Sequence, residues 1–165
     1  MNLFKRLVWG VVTVWACLAA PTAWSQTFAA RVVTVSDGDT VWVTLVPSER
    51  RMKLRMQGID APERCQPGGE ASTLALRELL LNQTVEVEVR GQDDYQRGLA
   101  RIRFQGKDVA AFMVSQGHAW SYRFKSDPGP YVREEQAARQ ARLGVFAQAR
   151  PERPYDFRRR HGPCE

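Results

Sequence analysis

The stretch "MKLRMQGIDAPERC", residues 52–65, governs how the chain is read. Its first half alternates: Met52, Leu54 and Met56 fall on one side, Lys53, Arg55 and Gln57 on the other. That period of two predicts a half-buried strand over residues 52–59. The second half breaks the pattern abruptly. Asp60, Pro62, Glu63 and Arg64 crowd together and Cys65 follows. Pro62 disfavours helical geometry at Ala61 and fixes φ at the turn, so Asp60 and Glu63 project from a stiff corner. Acids at a loop can also simply solvate it, and the surrounding sequence has to decide between the two readings.

Outward from this corner the same alternation recurs. "ARVVTVS" (30–36) and "TVWVTLV" (40–46) precede it as strands. "TVEVEVR" (84–90) sends Val85, Val87 and Val89 inward, and "LARIRF" (99–104) sets Ala100, Ile102 and Phe104 against Arg101 and Arg103. Three helices fit the remainder: 70–82, following Gly68 and Gly69; 108–116, ending at Gly117; and 131–143, ending at Gly144. From Pro151 onward, with Pro154 and Pro163, the chain reads as irregular. Five short strands with a helix after the third is the order of an OB-fold, a mainly β, α+β barrel whose face binds oligonucleotides or oligosaccharides.

The 165 residues suffice for one domain, and 44% hydrophobic with 25% charged residues is globular composition. Residues 1–25 read as a leader: Lys5 and Arg6 precede the apolar run "LVWGVVTVWACLAA", and Ala23 and Ser25 are spaced for cleavage after Ser25. An uncleaved membrane anchor is the alternative. Trp15 stands where a lipid-attachment signal at Cys17 would want a small residue. Loss of Lys5 and Arg6 lowers the formal charge from +6 to +4, still basic and suited to a polyanionic partner. The expectation is an exported protein, periplasmic or secreted, monomeric and without stable membrane association after cleavage. Two cysteines remain, Cys65 and Cys164. In an exported chain they read as a disulfide tethering a basic tail (151–165) to the domain (26–150), two free thiols being the alternative. The run Arg158, Arg159, Arg160, His161 is either a phosphate-binding patch or a solvated tail.

Carboxylates mark where chemistry could sit. In "VSDGDTVWV", Asp37 is accounted for by a hairpin turn in which Gly38 tolerates positive φ. Asp39 begins an apolar strand, where a carboxylate is unfavourable unless something binds it. Asp39 and Asp60, at separate strand ends, could share a hard cation such as Ca²⁺, with Glu63 one shell out to take a proton from water. Arg55 and Arg97 could grip a phosphate bidentately. Each arginine alone would pass for a surface residue.

The joint pattern "DGDTV" (37–41), "RMQGIDAPE" (55–63) and "YQRGLA" (95–100) resembles the staphylococcal nuclease family, from about Arg31 to about Phe146, including "GHAW" and "LGVF". The resemblance implies an OB-fold enzyme that cleaves DNA and RNA with Ca²⁺. By motif position, Asp39, Asp60 and the Ala61 carbonyl (the family usually has threonine there) would ligand the metal. Arg55 and Arg97 would hold the scissile phosphate, and Glu63 would activate water. In-line attack would expel the 5′-oxygen and leave 3′-phosphorylated products. Departures are a short segment "RCQPGG" in place of a long mobile loop, Asp94 in place of a lysine, and no clear match for the family's paired tyrosines in "WSYRFKS". Tyr95 is retained and is expected to contact substrate; Tyr122 is a possible substitute for one of the pair. The rival reading is a non-catalytic OB-fold module that binds nucleic acid or protein; an oligosaccharide-binding barrel rests on fold analogy alone.

Overall fold

The computed structural model describes residues 26–162 and 164. The leader read at residues 1–25 lies outside the described residues. Among the described residues no helix is long and apolar enough to cross a membrane.

Five strands form the barrel: β1 (Gln26–Asp37), β2 (Thr40–Leu45), β3 (Arg51–Met56), β5 (Thr84–Gln92) and β6 (Gly98–Phe104). Short pairs, β4 (Ile59–Asp60), β7 (Lys107–Asp108) and β8 (Trp120–Ser121), lie between or beyond them. The strand β1 is long enough to serve both halves. Its start pairs antiparallel with β5 and its end with β2, and Ala30 faces Val85 on one side and Leu45 on the other. Register shifts between Val32 and Thr34 and between Val35 and Asp37 bend it round the barrel. Closure comes from a parallel pairing of β3 with β6, Leu54 opposite Gly98 and Arg55 opposite Leu99. The inward side chains are those the alternation predicts: Leu54, Met56, Val85, Val87, Ala100 and Ile102 are all buried. Each fully buried branched side chain stabilises the fold by about 1.5–3 kcal/mol.

The third strand departs from its predicted span. A turn at Gln57–Gly58 ends β3, and Ile59–Asp60 leaves the barrel to pair antiparallel with β8 as β4. Asp60 is thereby carried on a separate two-stranded sheet, opposite Trp120.

Helix α1 (Gly69–Leu80) covers one end of the barrel with Leu76 and Leu80, and α2 (Val109–Ser115) contributes Met113 and Val114 to the same core. Asp108 caps α2 by accepting a hydrogen bond from the Ala111 amide at 3.1 Å. Helix α3 (Val132–Gln140) and a 3₁₀ turn (Gly144–Ala147) enclose a second small core of Trp120, Ala138, Val145 and Phe146, in which the Trp120 and Phe146 rings meet edge to face at 5.3 Å. The "GHAW" and "LGVF" segments are thus partners in one cluster.

The tail corrects a second expectation. Residues Pro154–His161 form a fourth helix, α4, where irregular chain is predicted. Proline breaks a helix interior but suits its first turn, where its missing N–H would have had no partner. The four basic residues Arg158–His161 occupy the last turn and Asp156 the first, both favourable to the helix dipole. Phe157 is buried, the Gln66 side chain donates to the Glu152 carbonyl at 2.7 Å, and Cys65 is bonded to Cys164 with Cα atoms 5.8 Å apart.

The disulfide spans 99 residues of sequence. Loop-closure entropy for a loop of roughly 100 residues amounts to about 4.7 kcal/mol, an upper bound on its contribution. Thiol titration of denatured, unreduced protein beginning at residue 26 should find no free thiol, and reduction should lower Tm by several degrees; two reactive thiols per chain would contradict the bond.

Candidate active site

Asp37 and Asp39 flank the turn between β1 and β2. The residue between them is glycine for want of space: a Cβ at Gly38 would overlap the Ser72 hydroxyl on α1 and the Ala61 methyl. Its φ lies outside the left-handed region, so the predicted positive-φ role of Gly38 is replaced by close approach of three segments. That approach seats Asp39 against the corner at 60–63.

Asp39 is 2% exposed and Asp60 4% exposed. Isolated buried carboxylates would be costly, and here both are paired. Asp39 Oδ1 accepts from the Thr40 hydroxyl at 2.8 Å and Arg55 Nη1 at 3.0 Å. Its Oδ2 accepts from the Ala61 amide at 3.1 Å and lies 2.9 Å from Arg55 Nη2. The same Nη2 donates to Asp60 Oδ1 at 2.9 Å, so one guanidinium bridges the two acids. Burial works against the charge on Arg55, but Asp39, Asp60 and Asp37 offset it and hold its pKa above the ordinary value.

Glu63 sits on a loop fixed from several sides. Its amide donates to Gln66 Oε1 at 3.2 Å and its carbonyl accepts from the Gln66 amide at 2.9 Å. A Cβ at Gly69 would collide with that carbonyl, so the start of α1 can lie directly on the loop. The Glu63 carboxylate meets a residue that the sequence distinguished only as part of a basic run: Arg158 on α4. Arg158 Nη1 donates to Glu63 Oε1 at 2.8 Å and to Asp60 Oδ1 at 3.1 Å, and its Nη2 to Asp60 Oδ2 at 3.2 Å. Burial opposes the Arg158 charge, but these bonds and the charges of Asp60 and Glu63 raise its pKa. At Asp60, burial raises the carboxyl and the hydrogen bonds and charge of Arg158 oppose that rise.

Asp37, Asp39, Arg55, Ala61, Glu63 and Arg158 line one open cleft of about 970 Å³, while Asp60 faces a smaller pocket with Trp120 and Ser121. Arg97 and Tyr95 line the larger cleft as well, from the turn joining β5 to β6. Arg97 does not touch the acid cluster. Its Nε donates to Asp93 Oδ2 at 2.7 Å, its amide to Asp93 Oδ1 at 2.9 Å, and its guanidinium lies 5.3 Å from the centre of the Tyr95 ring. Slight burial opposes ionisation of Asp93, but the hydrogen bonds and charge of Arg97 hold its carboxyl below the usual range. Tyr95 is 80% exposed, a ring standing in solvent beside that guanidinium. Tyr122 also reaches the cleft. Its segment is anchored by buried Glu135 of α3, which accepts from the Ser121 amide at 2.9 Å and from Arg123 at 2.7 Å.

The structure therefore brings Asp39, Arg55, Asp60, Ala61 and Glu63 together, and Arg97 and Tyr95 line the cleft beside them. Sequence reasoning missed Asp37 as a site group, Asp93 as the holder of Arg97, and Arg158. Among the described residues no three Asp, Glu, His or Cys side chains form a group able to hold a metal.

A closed five-stranded barrel with arginines and buried acids facing one open cleft defines the class: a small OB-fold protein equipped to act on phosphodiesters. Residues 53–148 match the family described as staphylococcal nuclease homologue. The chain is 33% identical over 155 residues to an uncharacterized endonuclease of Haemophilus influenzae, covering 94% of this chain and 85% of that one. It is 38% identical over 133 residues to an uncharacterized endonuclease of Escherichia coli O157:H7, covering 79% and 84%. Against the micrococcal nuclease of Shigella flexneri it is 32% identical over 148 residues, with 83% of each covered. The chain belongs to the staphylococcal nuclease family, a family of phosphodiester hydrolases.

Asp37 gives a pH prediction. Burial first, and then the charge of Asp39, push its carboxyl up to about 7. The folded state therefore holds this proton where the unfolded chain, with an ordinary carboxylate pKa of about 3.9, has lost it. The stability Asp37 contributes is fully present below about pH 4 and is lost as pH rises to about 7. Thermal melts of metal-free protein should show a decline from pH 4 to 7 that Asp37→Asn flattens; an unchanged slope in the variant would contradict this.

Proposed function

We propose that the chain is an exported, Ca²⁺-dependent nuclease that hydrolyses phosphodiester bonds of DNA and RNA to 3′-phosphorylated products. The observation that carries this reading is the cluster of Asp39, Arg55, Asp60 and Glu63 beside a cleft that Arg97 also lines. The residues fit a hard cation: the donors are all oxygen, and Asp39 and Asp60 both lie 2.9 Å from one nitrogen of Arg55, close enough together to share one ion. Asp39, Asp60 and the Ala61 carbonyl would hold Ca²⁺, which supplies Lewis-acid charge at the scissile phosphate.

The remaining work falls to the chain's own side chains. Arg55 and Arg97 neutralise charge growing on the non-bridging oxygens. Glu63 takes a proton from the attacking water as the new O–P bond forms and the bond to the 5′-oxygen breaks. Tyr95 offers an exposed ring to the bound strand. The disulfide supports an oxidising compartment, periplasmic or extracellular, and with the leader supports export. The protein works as a monomer free of the membrane once the leader is removed.

Plasmid DNA and RNA incubated with the protein should be cut in Ca²⁺ and left intact in chelator. Equal cutting in chelator would remove the metal from the mechanism, and binding without cutting would select a non-catalytic barrel. Two variants separate the roles. Glu63→Gln should keep its Ca²⁺ affinity but lose about 10²–10⁴-fold in kcat, whereas Asp60→Asn should weaken Ca²⁺ binding. The same metal dependence in both variants as in the parent would overturn the division between base and ligand.

A further inference from the structure

We propose that Arg158 is a built-in cationic plug of the metal site: α4 holds its guanidinium on Asp60 and Glu63, and a divalent cation binds there by displacing it. This rests on the assignment of Asp39 and Asp60 as ligands. The contacts at Asp60 and Glu63 point to displacement. Asp39 Oδ1 and Oδ2 each meet two donors, from Thr40, Ala61 and Arg55. Asp60 Oδ1 accepts from both Arg55 and Arg158, and its Oδ2 from Arg158. A carboxylate oxygen has about two lone pairs, so Asp60 Oδ1 is already filled, and a cation that takes Asp60 through both oxygens must remove a guanidinium.

Arg158 is the one to yield. Arg55 lies on a barrel strand paired on both sides, with Thr40 and with Leu99, and grips Asp39 with two nitrogens. Arg158 belongs to an eight-residue helix outside the barrel. Charge points the same way. Asp39, Asp60 and Glu63 against Arg55 alone leave a formal −2, which a divalent cation cancels; Arg158 reduces this to −1. Held at about 3 Å from Asp60, its positive charge repels an incoming cation directly.

The plug also occupies Glu63 Oε1, the group proposed to receive the proton. One movement of α4 therefore opens both the metal ligand and the base. The bond between Cys65 and Cys164 keeps the displaced guanidinium nearby, so it competes at a high effective concentration and returns when the cation leaves.

Calorimetric titration of Ca²⁺ into protein without nucleic acid tests this directly. The protein is expressed with its own N-terminal segment. Arg158→Gln should bind Ca²⁺ at least about fivefold more tightly than the parent, roughly 1 kcal/mol. Arg159→Gln removes the same charge from the same helix but stacks over Tyr155 instead of entering the cleft, and should stay within about twofold of the parent. Arg158→Gln binding no more tightly than Arg159→Gln would overturn the plug while leaving the metal site standing. A parent that binds no Ca²⁺ would overturn the metal assignment and the plug with it. Should circular dichroism show Arg158→Gln unfolded, the parent decides: Ca²⁺ must increase amide hydrogen exchange across residues 154–161, and unchanged exchange overturns the proposal.

Discussion

The cleft is organised by one guanidinium. Arg55 projects from β3, and its fork reaches Asp39 on the β1–β2 turn and Asp60 on β4. Without it, two carboxylates would sit almost fully buried with only neutral donors and Arg158 to compensate them. Breaking a buried pair by removing one partner typically costs about 3–5 kcal/mol, because the remaining charge stays in a poor solvent. The same contacts tie the β1–β2 turn and barrel strand β3 to the small β4–β8 pair, which belongs to a separate sheet. Stability and site geometry are therefore bound together here. Functional acids so deeply buried survive only beside a cation that belongs to the fold.

A second layer of pairing holds the walls. Asp93 grips Arg97 through three donors and so aims it into the cleft from the β5–β6 turn. Glu135 is buried and satisfied by Ser121, Arg123 and Arg139, which pins the segment carrying Tyr122. In both cases an acid contributes by placing a neighbour, and the neighbour faces the substrate side.

Much of this was legible in the sequence, for identifiable reasons. Alternation gives Leu54, Met56, Val85 and Val87 their inward direction, because a strand's side chains must alternate whatever the rest of the chain does. The acids and arginines of the 55–63 corner converge as their motifs imply. Other features depend on contacts that leave no local trace. Gly38 reads as a turn glycine, yet what excludes a side chain there is Ser72, on a helix more than thirty residues later. The break after Met56 follows from β4 finding β8, a partner sixty residues on. Arg158 sits in a run of basic residues with no distinguishing mark. Only the burial of Phe157 and the tether at Cys164 turn it inward while Arg159 stacks on Tyr155. Helix α4 itself was hidden by Pro154, whose effect reverses sign between the interior of a helix and its first turn.

The parallel pairing of β3 with β6 has a consequence for how the protein comes into being. It joins residues more than forty positions apart, and it is the contact that turns an open, curled sheet into a barrel. Bringing such distant segments together costs chain entropy before any contact compensates it, and topologies rich in such pairings fold slowly. Arg55 stands opposite Leu99 in that seam, two residues beyond Arg97. The two arginines thus become neighbours only when the seam closes. A chain with every hairpin formed but the seam open would possess both halves of the cleft and no cleft. The cleft is completed in the same event that completes the fold, so a partly folded molecule lacks an assembled cleft.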